Sequence, residues 1–240
     1  MKSKIAELLQ SERKPVAVIR SEVQPEEAMM FKEGSKGCII ALLNAASKGK
    51  TAALSEDTVH CPGGKAGAGF KPFKLGAIEY FLSVGKEGLK EGEFYKKSPE
   101  LATDFIQGLP RIESGKYLVL KAFDCLLENE VPDAVIFLVN ADELSALVTL
   151  ANYDKRTQDN VEIKFGSGCA QTFLYPLHNQ DMEMDICTIG LTDPSARKCM
   201  EKDLLSFAIP YRRFVVMEQN AEESFLTKKT WKTLLKRKKG

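Results

Sequence analysis

Pro15-Val-Ala-Val-Ile19 and Pro132-Asp-Ala-Val-Ile136 decide the fold. Both are short runs rich in valine and isoleucine, which is typical of buried strands. An acidic helix pattern follows each run, with Glu26-Glu27 after the first and Asp142-Glu143 after the second. Because the order of strand and acidic helix recurs, the sequence predicts an internal duplication.

Four cysteines extend this match. Gly37-Cys38 and Gly168-Cys169 each open an apolar helix pattern. Cys61-Pro-Gly-Gly64 and Cys187-Thr-Ile-Gly190 each close a strand pattern and open a turn. We therefore expect the four cysteines to converge between two similar halves.

The fold class follows from how the elements alternate. Strand and helix signals alternate only in places and several strands adjoin directly, which favours an α+β fold with mixed sheets and packed helices. The predicted halves are residues 1–112 and residues 113–240, the second with a basic C-terminal helix, and one compact domain is the alternative. A chain of 240 residues with 44% hydrophobic residues can bury either arrangement.

Composition and charge narrow the class of protein. Thirty-four basic and thirty-three acidic residues leave a formal charge of +1, which argues against a surface built for nucleic acid. No secretory signal pattern opens the chain, and no run approaches the roughly 20 apolar residues of a membrane span. We expect a cytoplasmic protein, in which six cysteines are buried, metal-binding or reactive rather than disulfide-linked.

The paired cysteines are the best candidate site. Cys38 and Cys169 lie at helix starts, where backbone N–H groups favour a thiolate, and Cys61 and Cys187 lie beside glycines that let N–H groups approach sulfur. Four thiolates suit zinc or an iron–sulfur cluster, so the first hypothesis is a metal or redox site with an unknown redox partner. Because the chain lacks local C-x₂-C knuckles, four buried structural cysteines are the open alternative.

The two remaining cysteines and one histidine are weaker candidates for a functional site. Cys125 and Cys199 have no counterpart in the repeat, and we expect both to be inert. His60 precedes Cys61, which makes it a candidate ligand or general base, although a structural role is the simpler interpretation.

Residues 61–70 are the most glycine-rich stretch and are predicted to form a loop. A second hypothesis is a non-enzymatic module that binds a small molecule or anion there. The segment fits no specific phosphate-binding template, so a plain turn is the alternative. The candidate ligand-binding residues are Gly63, Gly64, Lys65, Gly67 and Gly168.

The C-terminal segment from Lys228 to Lys239 is basic and carries Trp231, Leu234 and Leu235 at helical spacing. It predicts a helix that binds a partner or a membrane surface, or one that is only solvated.

Eight short blocks follow one another in a recognisable order: Gly37-Cys38, the run from Ala45 to Lys50, the run from Leu54 to Gly63, Gly108-Leu-Pro-Arg111, Pro132-Asp-Ala-Val-Ile136, Gly168-Cys169, Ile186-Cys187 and Leu205-Ser-Phe-Ala-Ile-Pro210. This series resembles the uncharacterised archaeal and bacterial family called domain of unknown function 169. The resemblance runs from about Pro15 to Pro210 and implies that the four cysteines belong to one pattern, without implying an activity or cofactor. The sequence departs from the family pattern at Lys65, where an arginine is expected, and at Ile186, where a proline is expected.

Overall fold

The computed structural model describes residues 2–32, 34–35 and 37–237. Seven strands form one sheet in the order β2-β3-β1-β4-β7-β6-β5. Only the β5–β6 pair is parallel among these strands, so the sheet is mixed and the α+β prediction is confirmed. The strands are β1 (Val16–Ser21), β2 (Ala52–Leu54), β3 (Tyr117–Ala122), β4 (Ala134–Val139), β5 (Val161–Glu162), β6 (Cys187–Gly190) and β7 (Leu205–Pro210).

Helices cover both faces of this sheet. Residues 61–70 were predicted as a loop, and this was wrong because a helix occupies most of them. A π-helix, Ala170–Leu174, runs directly into the α-helix that follows it. The α-helices are α1 (Lys4–Leu9), α2 (Ile39–Ser47), α3 (Pro62–Gly67), α4 (Ile78–Phe81), α5 (Pro99–Gln107), α6 (Ala141–Ala151), α7 (Tyr175–Asp181), α8 (Pro194–Arg197), α9 (Tyr211–Asn220) and α10 (Lys229–Arg237).

On each side of the sheet's centre, a central strand pairs antiparallel with its outer neighbour. From β1 outward come β3 and β2, and from β4 outward come β7, β6 and β5. The first residue of each central strand faces the last residue of its neighbour, with Val16 opposite Ala122 and Ala134 opposite Pro210. Strand β3 lies beyond residue 112 yet pairs with β1, so the two sides of the sheet do not divide at that residue. The duplication itself stays a prediction.

Alternation along the strands separates two hydrophobic cores. Val16 and Val18 point to one core, which α2, the π-helix and α7 cover. Ala17 points to the other, which α1, α6, α9 and α10 cover. We call these sides the α2 face and the α6 face. Any residue of a central strand therefore belongs to one of two environments that the sheet keeps apart.

Candidate functional site

Cys38 lies at the N-terminus of α2, on the α2 face. Its backbone is extended, and its carbonyl accepts a hydrogen bond from the N–H of Ala41 at 2.9 Å. Hydrogen bonding from the Cys169 thiol, with smaller contributions from the Ile40 and Ala41 backbone and from Cys199, outweighs burial and lowers the pKa of Cys38 from 9.0 to about 6. A half-buried cysteine with a lowered pKa is the central feature of the site.

Cys169 immediately precedes the π-helix and is buried, with 6% of its surface exposed. Its pKa is raised well above the usual value, first by the hydrogen bond to Cys38 and next by burial. The negative charges of Cys38 and Asp193 act in the same direction. Cys169 therefore keeps its proton.

Helix α3 packs directly against the start of the π-helix. A Cβ atom on Gly67 would lie 2.5 Å from the Cβ of Cys169 and 2.7 Å from its carbonyl carbon. Gly64 is also confined, since its Cβ would lie 3.0 Å from Val59 and 3.2 Å from Ile39. The segment is helical because Pro62 suits a first turn and because these glycines let two backbones approach closely.

The other predicted ligand-binding residues differ in how closely the protein packs around them. A Cβ on Gly168 would lie 2.6 Å from the Cβ of Ala196, so this glycine also serves a close contact inside the protein. Gly63 is open by comparison, and Lys65 is partly exposed in the last turn of α3. Anion binding at these positions stays a prediction.

Cys187 lies apart from the other three predicted cysteines. It begins β6 and points to the α6 face, where it is fully buried. Burial is the largest influence on it and raises its pKa to about 12. The sequence pattern placed Cys187 at the end of a strand, but the strand starts there, and its alternation directs the sulfur away from Cys38. Cys38 and Cys169 belong to the α2 face, and the sheet separates Cys187 from them.

Cys199 takes part in the cluster, although the sequence suggested that it was inert. It follows α8 on the α2 face, and its carbonyl accepts a hydrogen bond from Asn44 Nδ2 at 3.5 Å. No local sequence pattern marks Cys199, because its place beside α2 depends on this tertiary contact.

His60 supports the loop beside the site. Its Nε2 accepts a hydrogen bond from the backbone N–H of Gly34 at 3.1 Å. Next to Cys38, the ring of Phe31 lies over Gly37, where a Cβ would come within 2.0 Å of the ring. His60 therefore connects the turn before α3 to the loop that covers the start of α2. Its role as a ligand or base stays a prediction.

Two further predictions concern metals and the C-terminus. Within residues 2–32, 34–35 and 37–237, no group of three or more His, Cys, Asp or Glu side chains is arranged to hold a metal ion.

The apolar side of α10 packs inside the protein, where Trp231 is 1% exposed and donates a hydrogen bond to the Leu8 carbonyl at 2.9 Å. In the described part of the chain, no helix combines the length and the hydropathy that a bilayer crossing requires.

Comparison with known proteins places the chain in a family. No curated protein and no solved structure matches it. The family model for domain of unknown function 169, described as "Uncharacterised ArCR", matches residues 4–220. This range contains every strand and all of the cysteines discussed above. The chain therefore belongs to the family of domain of unknown function 169.

Proposed function

We propose that this protein carries out thiol chemistry at Cys38, with the Cys38 sulfur as the nucleophile that attacks a disulfide or another soft electrophile. The observation that carries the proposal is the position of Cys38 as the N-cap residue of α2, where backbone N–H groups at a helix start favour a thiolate. Nucleophilic cysteines require a thiolate that is at least partly accessible, and Cys38 is half-buried rather than enclosed. Cys187 meets neither condition.

The surroundings of Cys38 favour the charged form in two ways. The N–H groups of Ile40 and Ala41 stabilise negative charge as at any helix N-terminus. The two neighbouring thiols add hydrogen bonds that a lone cysteine at a helix start lacks. With a pKa of about 6, most of the Cys38 side chains carry a thiolate at neutral pH.

A metal or iron–sulfur site at Cys38, Cys61, Cys169 and Cys187 is the second candidate, and it rests on the sequence pattern. Cys187 lies on the other face of the sheet, and no group of three or more His, Cys, Asp or Glu side chains among residues 2–32, 34–35 and 37–237 is arranged to hold a metal ion. We expect metal and sulfide analysis of anaerobically purified protein to decide between the two candidates. Stoichiometric iron and sulfide that are lost in Cys38→Ser and in Cys187→Ser would favour a cluster.

Competitive labelling tests the thiol proposal. The full chain is treated with substoichiometric iodoacetamide near pH 6, and the modified cysteines are identified by peptide mass mapping. An ordinary thiol with a pKa of about 8.5 is almost entirely protonated there, so we expect label at Cys38 before the exposed Cys125. Label that accumulates first at Cys125, with Cys38 unmodified, would overturn the proposal. Cys38→Ala is the matched control and should remove the early label.

A further inference from the structure

Residues 71–107 form a lobe outside the hydrophobic cores. The lobe contains α4 and α5, which pack against each other. The structure describes all of its residues, and none of them belongs to the core of either face. The buried residues between 71 and 98 are Glu79 and Ser83, which are both polar. This part of the lobe therefore stays in place without a hydrophobic core of its own.

The two ends of the lobe lie side by side. A Cβ atom on Gly69 would lie 2.5 Å from Cγ1 of Ile112, and the Gly69 carbonyl accepts a hydrogen bond from the Ser114 hydroxyl at 3.2 Å. Phe70 and Ile112 pack against the core of the α2 face, so both ends are fixed to the body of the protein. A lobe that enters and leaves the body at one place turns about that place as a hinge, without disturbing the cores.

Lys96 joins the middle of the lobe to the body. Its Nζ lies 4.3 Å from the ring centroid of Phe165, in the segment between β5 and the π-helix, and 5.4 Å from that of Phe105 in α5. The two rings pack edge to face with their centroids 4.9 Å apart. Both distances from Nζ lie within the roughly 6 Å over which an aromatic face attracts a cation. One lysine therefore contacts two rings, one in the lobe and one in the body.

The segment that contains Phe165 is tied to the candidate site. The Phe165 carbonyl accepts a hydrogen bond from the Tyr175 hydroxyl at 3.2 Å. The neighbouring Lys164 carbonyl accepts one from Gln171 Nε2 at 2.7 Å. Because Gln171 belongs to the π-helix and Tyr175 begins α7, the segment is held by the two helices that follow Cys169.

We propose that Lys96 is the latch of a lid. Its contact with Phe165 holds the lobe closed against the segment that leads into Cys169, and the lobe opens about its two ends when that contact breaks. This inference adds control of access to the proposed thiol chemistry and rests on that chemistry only for the use of the access. With the lobe closed, Cys169 is 6% exposed. Opening gives a substrate a path to that side of the site.

The latch contact is of a kind that breaks readily. Phe165 is 51% exposed and Lys96 is partly exposed, so water competes for the ammonium group. Release of the lobe uncovers no buried apolar residue between 71 and 98, and regions with few such contacts open locally at a small fraction of the free energy of global unfolding. A single substitution at Lys96 should therefore shift the balance between the closed and open forms.

Hydrogen–deuterium exchange of the full chain, measured on peptides by mass spectrometry, tests the latch. Lys96→Met keeps the length of the side chain and removes its charge. We expect exchange about threefold faster in residues 163–174, which include Phe165 and the π-helix, because loss of a cation–π contact shifts the lobe toward the open form. Exchange in β4 and β7, at the centre of the sheet, should not change.

Lys86→Met is the matched control. Lys86 lies 4.6 Å from the ring centroid of Tyr80, and both residues belong to the lobe. The same chemical change there should leave exchange in residues 163–174 as it is in the unaltered chain. In a chain with Phe165→Leu, Lys96→Met should have no further effect, because the lysine no longer has a ring to contact in the body.

Two results would overturn the latch: unchanged exchange in residues 163–174 of Lys96→Met, or an equal increase there with Lys86→Met. Neither result would touch the thiol proposal, since the labelling of Cys38 tests it separately. Faster exchange in Lys96→Met together with an unlabelled Cys38 would support the lid and overturn the thiol chemistry.

Discussion

The two faces of the sheet shift the pKa of a cysteine in opposite directions. On the α2 face the pKa of Cys38 falls to about 6, and on the α6 face the pKa of Cys187 rises to about 12. Both cysteines pack among apolar side chains. The difference in pKa is therefore not a difference between a hydrophobic core and a polar surface. The difference lies in the groups that point at each sulfur.

Hydrogen-bond donors decide the contrast. Cys38 receives backbone N–H groups and two thiols, and these outweigh the cost of burying a charge. The nearby charge of Arg213 favours the Cys187 thiolate but is smaller than the effect of complete burial. In this protein, the nearby arginine therefore stabilises the Cys187 thiolate less than hydrogen bonding stabilises the Cys38 thiolate.

The largest effect on stability is expected from the α6 face. Arg213 is 1% exposed and donates hydrogen bonds to Asp154 Oδ2 at 2.8 Å and to the Ala151 carbonyl at 3.0 Å. Arg213→Met should lower the free energy of unfolding by about 3 kcal/mol because it removes the hydrogen bonds of a buried guanidinium to the Ala151 carbonyl and to Asp154, whose side chain is 30% exposed. Urea denaturation measures this change.

Arg212→Met is the matched control for that substitution. Arg212 is 40% exposed and pairs with Asp185 at 3.1 Å, so we expect a loss below about 1 kcal/mol. Neither substitution should alter the alkylation of Cys38 in the folded protein. A change in Cys38 reactivity with Arg213→Met would contradict the separation of the two faces.

A smaller loss is expected from the contact between α3 and the π-helix. Gly67→Ala places a Cβ 2.5 Å from Cys169 Cβ and 2.8 Å from the N atom of Ala170, and such overpacking should cost about 2 kcal/mol in urea denaturation. Gly63→Ala, in the same helix, meets only the Cys61 sulfur at 3.8 Å and should change stability by less than about 1 kcal/mol. Equal effects would contradict the close packing assigned to Gly67.

The smallest effect is expected at Cys187. Cys187→Ala removes one buried sulfur from the α6 face and should lower the free energy of unfolding by about 1 kcal/mol in the same denaturation experiment. The rate at which iodoacetamide modifies Cys38 should not change. Slower modification of Cys38 in this variant would show that Cys187 belongs to the same site.

Much of the fold was predictable because it depends on local patterns. The alternating or apolar runs that became β1, β3, β4 and β7 are strand patterns of about the right length. The start of α6 was also predictable, since Asn140 forms a capping box with Glu143. These signals lie within a few residues and need no knowledge of tertiary contacts.

The composition of the site was harder to predict. The glycines of α3 indicate a loop when they are considered alone, and only the contact of Gly67 with Cys169 explains a helix there. Cys187 was grouped with the other three cysteines because a local motif does not determine which face of the sheet its side chain points to. Cys199 has no local motif, and its carbonyl approaches α2 only through a tertiary contact with Asn44.

The most direct test is the pH dependence of Cys38 alkylation in the Cys125→Ser chain. The rate constant for iodoacetamide at Cys38 is measured by mass spectrometry from pH 4.5 to 9.5. The account predicts a midpoint near a pH of about 6, below which the rate falls as the thiolate is protonated. At pH 6 it also predicts a rate about tenfold above that of an ordinary exposed thiol, after allowing for the lower nucleophilicity of a low-pKa thiolate. A midpoint between pH 8.5 and 9 would contradict a stabilised thiolate at Cys38 and the thiol chemistry proposed for it.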